Sequence, residues 1–349
     1  MFVAWKELRF ARGRFALIGV VVALITLLVG FLSGLTGGLA AQNVSAVLSI
    51  PADRIVLQQP ATGSPSFSTS SLNPDTVRQW QDAPGVESVT SIGISQTRAA
   101  RAGSEEPTGV ALFGQPSGLA EGEVELSSGA AAALNAQVGD TVTINSQDVT
   151  VAAVGEDLWY SHTPVITMSP PTWSELSQRV GGTGEPTMLA VTGEPDWADV
   201  DKQAGTVAQT PLASLSALDA FSSEVGSLGL MIAMLFAISA LVVGAFFTVW
   251  TMQRAGDIAV LKALGASTAS LVRDALGQAL IVLAVGIGVG LIAVVCLGIA
   301  AGQALPFVLS PLTTLAPAAI LALLGLLGAA FALRIVTSAD PLTALGSNR

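Results

Sequence analysis

The chain has 349 residues, of which 51% are hydrophobic and 11% are charged, and its formal net charge is −10. Soluble globular domains carry roughly a quarter charged residues, so this composition argues against a protein whose whole surface faces water. The single cysteine, Cys296, excludes a disulfide within the chain and a structural zinc site built from several cysteines. We expect Cys296 to pack inside a bundle of apolar helices.

Three long stretches without charge, 15–52, 225–253 and 275–333, account for the composition. About 20 apolar residues cross the hydrocarbon core of a bilayer. We therefore predict transmembrane helix 1 at 15–41, helix 2 at 225–253, and helices 3 and 4 within 275–333, joined by a short hairpin. The apolar core of a cleaved signal peptide is only about 7–15 residues long, so an uncleaved anchor is expected at the first stretch.

The distribution of Lys and Arg predicts the orientation, because these residues stay on the cytoplasmic side. Four bases within 1–14 precede helix 1, so both termini (1–14 and 334–349) and the 254–274 loop are expected in the cytoplasm. Residues 42–224 carry 6 Lys and Arg against 21 Asp and Glu and are expected to lie outside. The sequence thus predicts a multi-pass protein of the cytoplasmic membrane.

The segment 42–224 has the composition of a folded domain, which we expect to be α+β with a small barrel-like or hairpin sheet. Asn73 before Pro74 is typical of a helix N-cap followed by the first helical position. Farther along, an Ala-rich helix leads to strands at 141–144 and 149–154 around a four-residue NSQD loop. The predicted fold class is an integral membrane α-helical protein with four transmembrane helices and a large α+β extracytoplasmic domain between helices 1 and 2.

Motifs of enzymatic chemistry are absent from the sequence. The three lysines are followed by Glu, Gln and Ala, so none belongs to a GxxxxGK[ST] phosphate loop. There is no GxSxG or HExxH motif, and the predicted spans hold no charged residue for a proton relay. We therefore expect no catalytic residue, no cofactor of the chain's own, and no nucleic-acid partner. A partner chain would bind ATP and Mg²⁺.

The charged stretch RAGDIAVLKALGAS, Arg254–Ser267, separates two predicted spans. On a helix, Ile258, Leu261 and Leu264 fall on one side and the charges mostly elsewhere. Such a helix either lies on membrane lipid or offers a docking surface to another protein, and the spacing alone leaves both interpretations open.

RAGDIAVLKALGAS resembles the stretch that follows the second helix in FtsX/MacB-type permeases (type VII ABC exporters), where the pattern is roughly R-x-x-E-I-x-x-L-R/K-A-L-G-A. The tail IVTSADPLTALG and the four-span topology are also similar to that family. The resemblance implies a homodimer that binds a dimer of cytoplasmic ABC ATPase subunits. It also implies that Arg254, Asp257 and Lys262 couple the chain to that ATPase, with Asp257 standing where the family has Glu.

The expected homodimer has one physical support in the sequence. The small residues of SGLTGG, Ser33–Gly38, would let helix 1 approach another helix closely or leave room for a planar ligand.

A narrower resemblance concerns the N-terminal MFVAWKELRFARGRFALIG together with 31–47, 51–59 and 159–173. These stretches resemble the haem-efflux permeases of the same family, which implies that haem is transported from the membrane to the outside. Two other functions stay open. One is an FtsX-like mechanotransmitter that activates an extracytoplasmic partner, and the other is an exporter of another amphiphile, such as a peptide or a lipid.

Haem iron takes Met, His, Tyr, Cys or carboxylate ligands. Glu224 and Met231 lie two helical turns apart and Met234 one turn farther on, so we predict these three as haem contacts, with Tyr160 and His162 as weaker candidates in an outer relay. No metal other than haem iron is expected. Each residue also has a structural explanation: methionines pack, Glu224 marks the water boundary, and Tyr160 and His162 are satisfied within the outer domain.

Overall fold

The computed structural model describes residues 12–104, 106–253, 256, 260, 264–265, 267–302 and 304–337. The long helices are α1 (Arg12–Leu48), α7 (Asp219–Gln253), α8 (Thr268–Ala301) and α9 (Pro311–Thr337), and the short ones are α2 (Pro74–Gln81), α3 (Ser128–Leu134), α4 (Pro170–Arg179), α5 (Trp197–Ala204) and α6 (Pro211–Ser214). The strands are β1 (Arg54–Gln58), β2 (Val86–Arg101), β3 (Thr108–Gly114), β4 (Glu123–Ser127), β5 (Thr141–Ile144), β6 (Gln147–Gly155), β7 (Trp159–Tyr160), β8 (Thr163–Met168), β9 (Met188–Gly193) and β10 (Thr206–Gln209).

The chain divides into two compact units, which we name here. The sheet unit is Leu39–Gly226, and the helical unit is Met1–Gly38 together with Ser227–Arg349. The sheet unit is thus inserted into the chain between the first long helix and the three that follow.

Four helices of the described residues are long and apolar enough to cross a membrane, which confirms the predicted number of spans. α8 ends at Ala301 and α9 begins at Pro311, so the predicted hairpin joins them. The 37 residues of α1 extend over about 55 Å, far more than the roughly 30 Å hydrocarbon core. The apolar run predicts a span that ends at residue 41. The helix itself continues through the more polar residues up to Leu48, because helical structure does not require apolar side chains.

The small residues of SGLTGG contact the connection between α8 and α9 of the same chain. A Cβ added at Gly34 would overlap the ring of Phe307, and one at Gly38 would overlap the carbonyl group of Pro306. The backbone N–H of Val308 donates to the carbonyl of Gly34 at 3.1 Å. Gly34 and Gly38 thus allow a close approach, as the sequence predicts, and the neighbour they admit is the α8–α9 connection of the same chain. The homodimer stays a prediction.

Ten strands form the sheet of the sheet unit, in the order β10-β1-β9-β2-β3-β8-β4-β6-β5, with β7 paired to β8. An additional β2–β5 pairing closes β2, β3, β8, β4, β6 and β5 into a ring. The predicted small barrel is therefore present. Most pairings are antiparallel, but β3–β8 and β4–β6 are parallel. The long strand β2 belongs both to this barrel and to the open sheet that it forms with β9, β1 and β10.

Buried apolar residues from all six barrel strands make one core cluster, among them Ala99, Leu112, Val124, Ile144 and Ile166. Local sequence signals place the helices around the sheets. Asn73 caps α2, since its Oδ1 accepts from the N–H of Thr76 at 2.9 Å, and Pro74 occupies the first helical position as predicted.

The loop between β5 and β6 is shorter than the four residues predicted. Ile144 pairs directly with Gln147, so only Asn145 and Ser146 form the turn, with φ of 48° and 64°. Two residues in the left-handed region are typical of a type I′ hairpin turn. The polar side chains of Gln147 and Asp148 suggested a loop, but they stand on a strand whose outer face is exposed to water.

Candidate functional site

The residues predicted to contact haem lie in both units. Met231 and Met234 are on the α7 surface of the helical unit, where their side chains are 50% and 57% exposed. Glu224 lies near the start of α7, within the sheet unit. The grouping of these three residues as haem contacts stays a prediction.

The sheet unit brings Glu224 together with His162. Nε2 of His162 lies 3.0 Å from Oε1 and 2.9 Å from Oε2 of Glu224. Their side chains are 33% and 39% exposed, so the pair is open to solvent or a ligand. Helical spacing predicts Glu224 on one face with the methionines and His162 in a separate relay, whereas the structure joins Glu224 and His162 in one cluster.

Asn43 completes this group, which we call the His162 cluster: His162, Glu224 and Asn43. Nδ2 of Asn43 donates to Oε2 of Glu224 at 2.9 Å and lies 3.0 Å from Nε2 of His162. Asn43 is fully buried, and its Oδ1 has no hydrogen-bond partner among the described residues. Asn43 is not among the predicted site residues, although an amide within an apolar helix end is a signal that could have identified it.

A strained turn presents His162 to the other two side chains. Ser161 and His162 link β7 to β8 and have φ of 46° and 63°, the left-handed conformation of a two-residue hairpin. Two backbone bonds fix this turn against α1: Ser161 N–H donates to Asn43 O at 3.1 Å, and His162 N–H donates to Gln42 O at 3.0 Å. These two main-chain contacts to α1 therefore position the imidazole beside Asn43.

The His162 cluster has the chemistry of a proton-exchanging or ligand-binding pair. A neutral imidazole with its proton on Nε2 donates to the carboxylate, and a protonated one forms an ion pair with it. Imidazole and carboxylate are both ligand types for haem iron. Within the described ranges, no group of three or more His, Cys, Asp and Glu side chains is arranged to hold a bare metal ion.

Tyr160 takes part in the core of the sheet unit. Its side chain is 6% exposed, and its ring packs edge-on against Phe113, with centroids 5.6 Å apart, and against Phe67 at 6.4 Å. Burial, and secondarily the charge of Asp219, raises the pKa of the Tyr160 hydroxyl well above its usual value. This arrangement fits the structural explanation of Tyr160, and its predicted part in a relay with His162 stays a prediction.

Two further predictions concern the helical unit. Arg254, Asp257 and Lys262, the predicted ATPase-coupling residues, lie outside the described residues. The charged stretch Arg254–Ser267 ends at Ser267, whose Oγ accepts from Ser270 N–H at 3.3 Å and caps α8.

Cys296 is exposed on α8, so the expectation that it packs in the core is wrong. In an apolar helix, composition alone does not show which face is covered.

Comparison with known proteins identifies the C-terminal third of the chain. Residues 229–341 match the family model "FtsX-like permease C-terminal". Over 99% of both chains, the protein is 26% identical to the hemin transport system permease protein HrtB of Staphylococcus haemolyticus. It is 24% identical to HrtB of Staphylococcus epidermidis over the full length of both, and 24% identical to an uncharacterized ABC transporter permease of Mycobacterium tuberculosis over 99% of both.

Two solved structures of extracytoplasmic regions are similar to part of the chain. The extracellular domain of YknZ from Gram-positive bacteria is 17% identical, with 47% of this chain and 92% of that one covered and a TM-score of 0.32. The periplasmic region of MacB from Actinobacillus actinomycetemcomitans is 14% identical, with 48% and 92% covered and a TM-score of 0.36. Residues 229–341 are thus similar to the C-terminal region of FtsX-like permeases, in a chain whose described residues include four helices long and apolar enough to cross a membrane.

Proposed function

We propose that this chain is the membrane subunit of an ABC-type exporter that extrudes haem from the membrane, powered by a separate ATPase subunit. The observation that carries the proposal is the end-to-end similarity to permeases named for hemin transport, which includes the sheet unit as well as the FtsX-like domain. A match confined to 229–341 would support a permease without indicating a cargo.

The need for a partner follows from the sequence. Since the chain lacks a phosphate-loop lysine, ATP and Mg²⁺ are bound by an ATPase dimer that docks on the cytoplasmic 254–274 loop. Arg254, Asp257 and Lys262 provide the charged contacts of that docking, and two copies of the permease form the membrane part. In this arrangement the sheet unit lies outside the cell.

Two groups of side chains are suited to haem. The His162 cluster offers an imidazole and a carboxylate, both partly exposed, as ligands for the iron, and the imidazole can instead donate a hydrogen bond to a propionate. On α7, the exposed thioethers of Met231 and Met234 offer soft, polarisable contacts to the porphyrin or a sulfur ligand to the iron. The two groups make separate predictions and are tested by separate variants.

The test uses the full-length permease with its ATPase subunit in lipid nanodiscs. Haem is titrated while the Soret band and ATP hydrolysis are recorded. Met231→Ala and Met234→Ala are compared with Met252→Ala, a methionine that is 63% exposed on the same helix and is not predicted to bind haem. His162→Ala and Glu224→Gln are compared with Glu87→Gln, an exposed carboxylate of β2.

Haem export predicts a saturable Soret shift and stimulated ATP hydrolysis in the wild type. Loss of one iron ligand is expected to weaken haem binding by about tenfold or more, equivalent to about 1.4 kcal/mol, and the control variants should bind as the wild type does. No Soret shift and no stimulation in the wild type would overturn haem as the cargo. If haem binds but no variant at these four positions weakens it, the cargo stands and the site assignment does not.

A further inference from the structure

We infer that the His162 cluster is a binding site for a divalent transition-metal ion, held by Nε2 of His162, the carboxylate of Glu224 and Oδ1 of Asn43. Haem iron is the one metal that the sequence predicts, whereas this inference concerns a bare ion and is independent of the proposed haem export. Because the third ligand is an amide oxygen, the site contains only two His, Cys, Asp or Glu side chains.

Three polar atoms of the cluster form a nearly equilateral triangle. Oε2 of Glu224 lies 2.9 Å from Nε2 of His162 and 2.9 Å from Nδ2 of Asn43, and the two nitrogens are 3.0 Å apart. With the imidazole proton on Nε2, both nitrogens donate to the carboxylate and face each other as donors. With the proton on Nδ1, the bare Nε2 faces the carboxylate as a second acceptor. In either tautomer, hydrogen bonds satisfy two sides of the triangle and leave the third side repulsive.

The dimensions of the triangle fit a set of metal ligands. Neighbouring ligands of an octahedral ion are separated by the square root of two times the metal–ligand distance, which is about 3.0 Å for a distance of about 2.1 Å. The corresponding separation in a tetrahedral zinc site is about 3.3 Å. The observed sides of 2.9, 2.9 and 3.0 Å therefore match one face of an octahedron, the arrangement of facial triads.

Asn43 provides an oxygen to this face after a half-turn of its amide. Its Oδ1 is buried without a hydrogen-bond partner among the described residues, while Nδ2 faces the other two side chains. Rotation about the Cβ–Cγ bond exchanges the two atoms and moves no other part of the chain. The exchange gives up a long bond from Nδ2 to the carbonyl of Leu39 at 3.4 Å. It gives Oδ1 an ion to coordinate, and so removes the cost of an unpartnered buried oxygen.

The surroundings of the cluster favour a hydrated transition-metal ion. The side chains of His162 and Glu224 are 33% and 39% exposed, whereas Asn43 is fully buried, so water can complete the octahedron on the outer side. Imidazole is a ligand of first-row transition metals, whereas Mg²⁺ and Ca²⁺ prefer oxygen ligands alone. The segment 42–224, with 21 acids against 6 bases, attracts cations. The expected ligand is therefore a first-row divalent ion.

The test uses the full-length chain in nanodiscs, free of haem and of any polyhistidine tag, titrated with Co²⁺. Calorimetry measures binding, and visible absorption reports geometry, because octahedral Co²⁺ absorbs weakly and tetrahedral Co²⁺ strongly. His162→Asn removes the imidazole and tolerates the left-handed turn, Glu224→Gln removes the charge at constant size, and Glu87→Gln, an exposed carboxylate of β2, is the control. A second measurement needs no variant: His162 is the only histidine, so modification by diethyl pyrocarbonate reports this one imidazole.

The wild type is expected to bind one Co²⁺ per chain with weak, octahedral absorption, and bound Co²⁺ should protect His162 from modification. His162→Asn and Glu224→Gln should bind more weakly by about tenfold or more, with Glu87→Gln equal to the wild type. No saturable binding up to about 1 mM Co²⁺ would overturn the inference, as would wild-type affinity in His162→Asn or an intense tetrahedral spectrum. Haem takes no part in these measurements, so their failure leaves the proposed export untouched.

Discussion

Ionisation of Tyr160 offers a direct test of the sheet-unit core, because it is the only tyrosine in the chain. Burial of the ring among Phe67 and Phe113 raises the pKa of its hydroxyl. Tyrosinate absorbance of the folded protein therefore reports one group. We expect no tyrosinate signal near pH 10, where an exposed tyrosine is about half ionised, and a normal titration once the chain is unfolded in guanidinium chloride.

The same shift makes the free energy of unfolding depend on pH. Below about pH 10 the folded and unfolded states both keep the phenolic proton. Above it only the unfolded state releases the proton, so stability falls by about 1.4 kcal/mol per pH unit until the folded state also ionises. Between about pH 9 and pH 11 the wild type should thus lose about 1.4 kcal/mol that Tyr160→Phe retains.

Thermal and denaturant unfolding of both proteins in detergent measures this difference, and the Phe variant cancels the contributions of all other titrating groups. A tyrosinate titration near pH 10 in the folded protein, or identical pH dependence of the two proteins, would refute the burial of the Tyr160 hydroxyl and with it the packing of β7 on the core.

Three other substitutions test local features by thermal unfolding in detergent. Gly38→Ala should destabilise the helical unit by about 1–3 kcal/mol through overlap with the α8–α9 connection, whereas Gly19→Ala, with no atom within 4 Å of the new Cβ, should cost nothing; equal melting temperatures would contradict that contact. Ser146→Gly should stabilise the sheet unit by about 1 kcal/mol, since it relieves a left-handed residue, and a lower melting temperature would count against the type I′ turn. Asn73→Ala should cost about 1 kcal/mol through loss of the α2 cap; an unchanged melting temperature would speak against it.

Local signals in the sequence predicted much of the fold. Uncharged stretches identified the four spans because a helix that crosses the hydrocarbon core needs about 20 predominantly apolar residues. The Asn73-Pro74 pair identified the start of α2, since capping depends on residues a few positions apart. The β5–β6 hairpin was found but its turn was misjudged, because a two-residue and a four-residue loop have the same polar composition.

The candidate site depended on contacts that no local pattern contains. His162 and Glu224 are 62 residues apart in the chain, and Asn43 is 119 residues from His162. Helical spacing placed Glu224 with Met231, but spacing along one helix does not predict which residues of other elements contact it. The same limit explains Cys296 and the SGLTGG run, where the residue type was recognised and its neighbours were not.

The sharing of β2 between the barrel and the open sheet has a consequence for how the sheet unit loses its structure. If β2 detaches, both sheets lose a strand. In the barrel β2 is hydrogen-bonded to β3 and β5, and in the open sheet it is hydrogen-bonded to β9. The protected amides of the barrel and of the open sheet should therefore exchange at similar rates, through the same opening event. We therefore expect the ten-stranded assembly to open as one cooperative unit, and hydrogen exchange that is faster in one sheet than in the other would contradict this expectation.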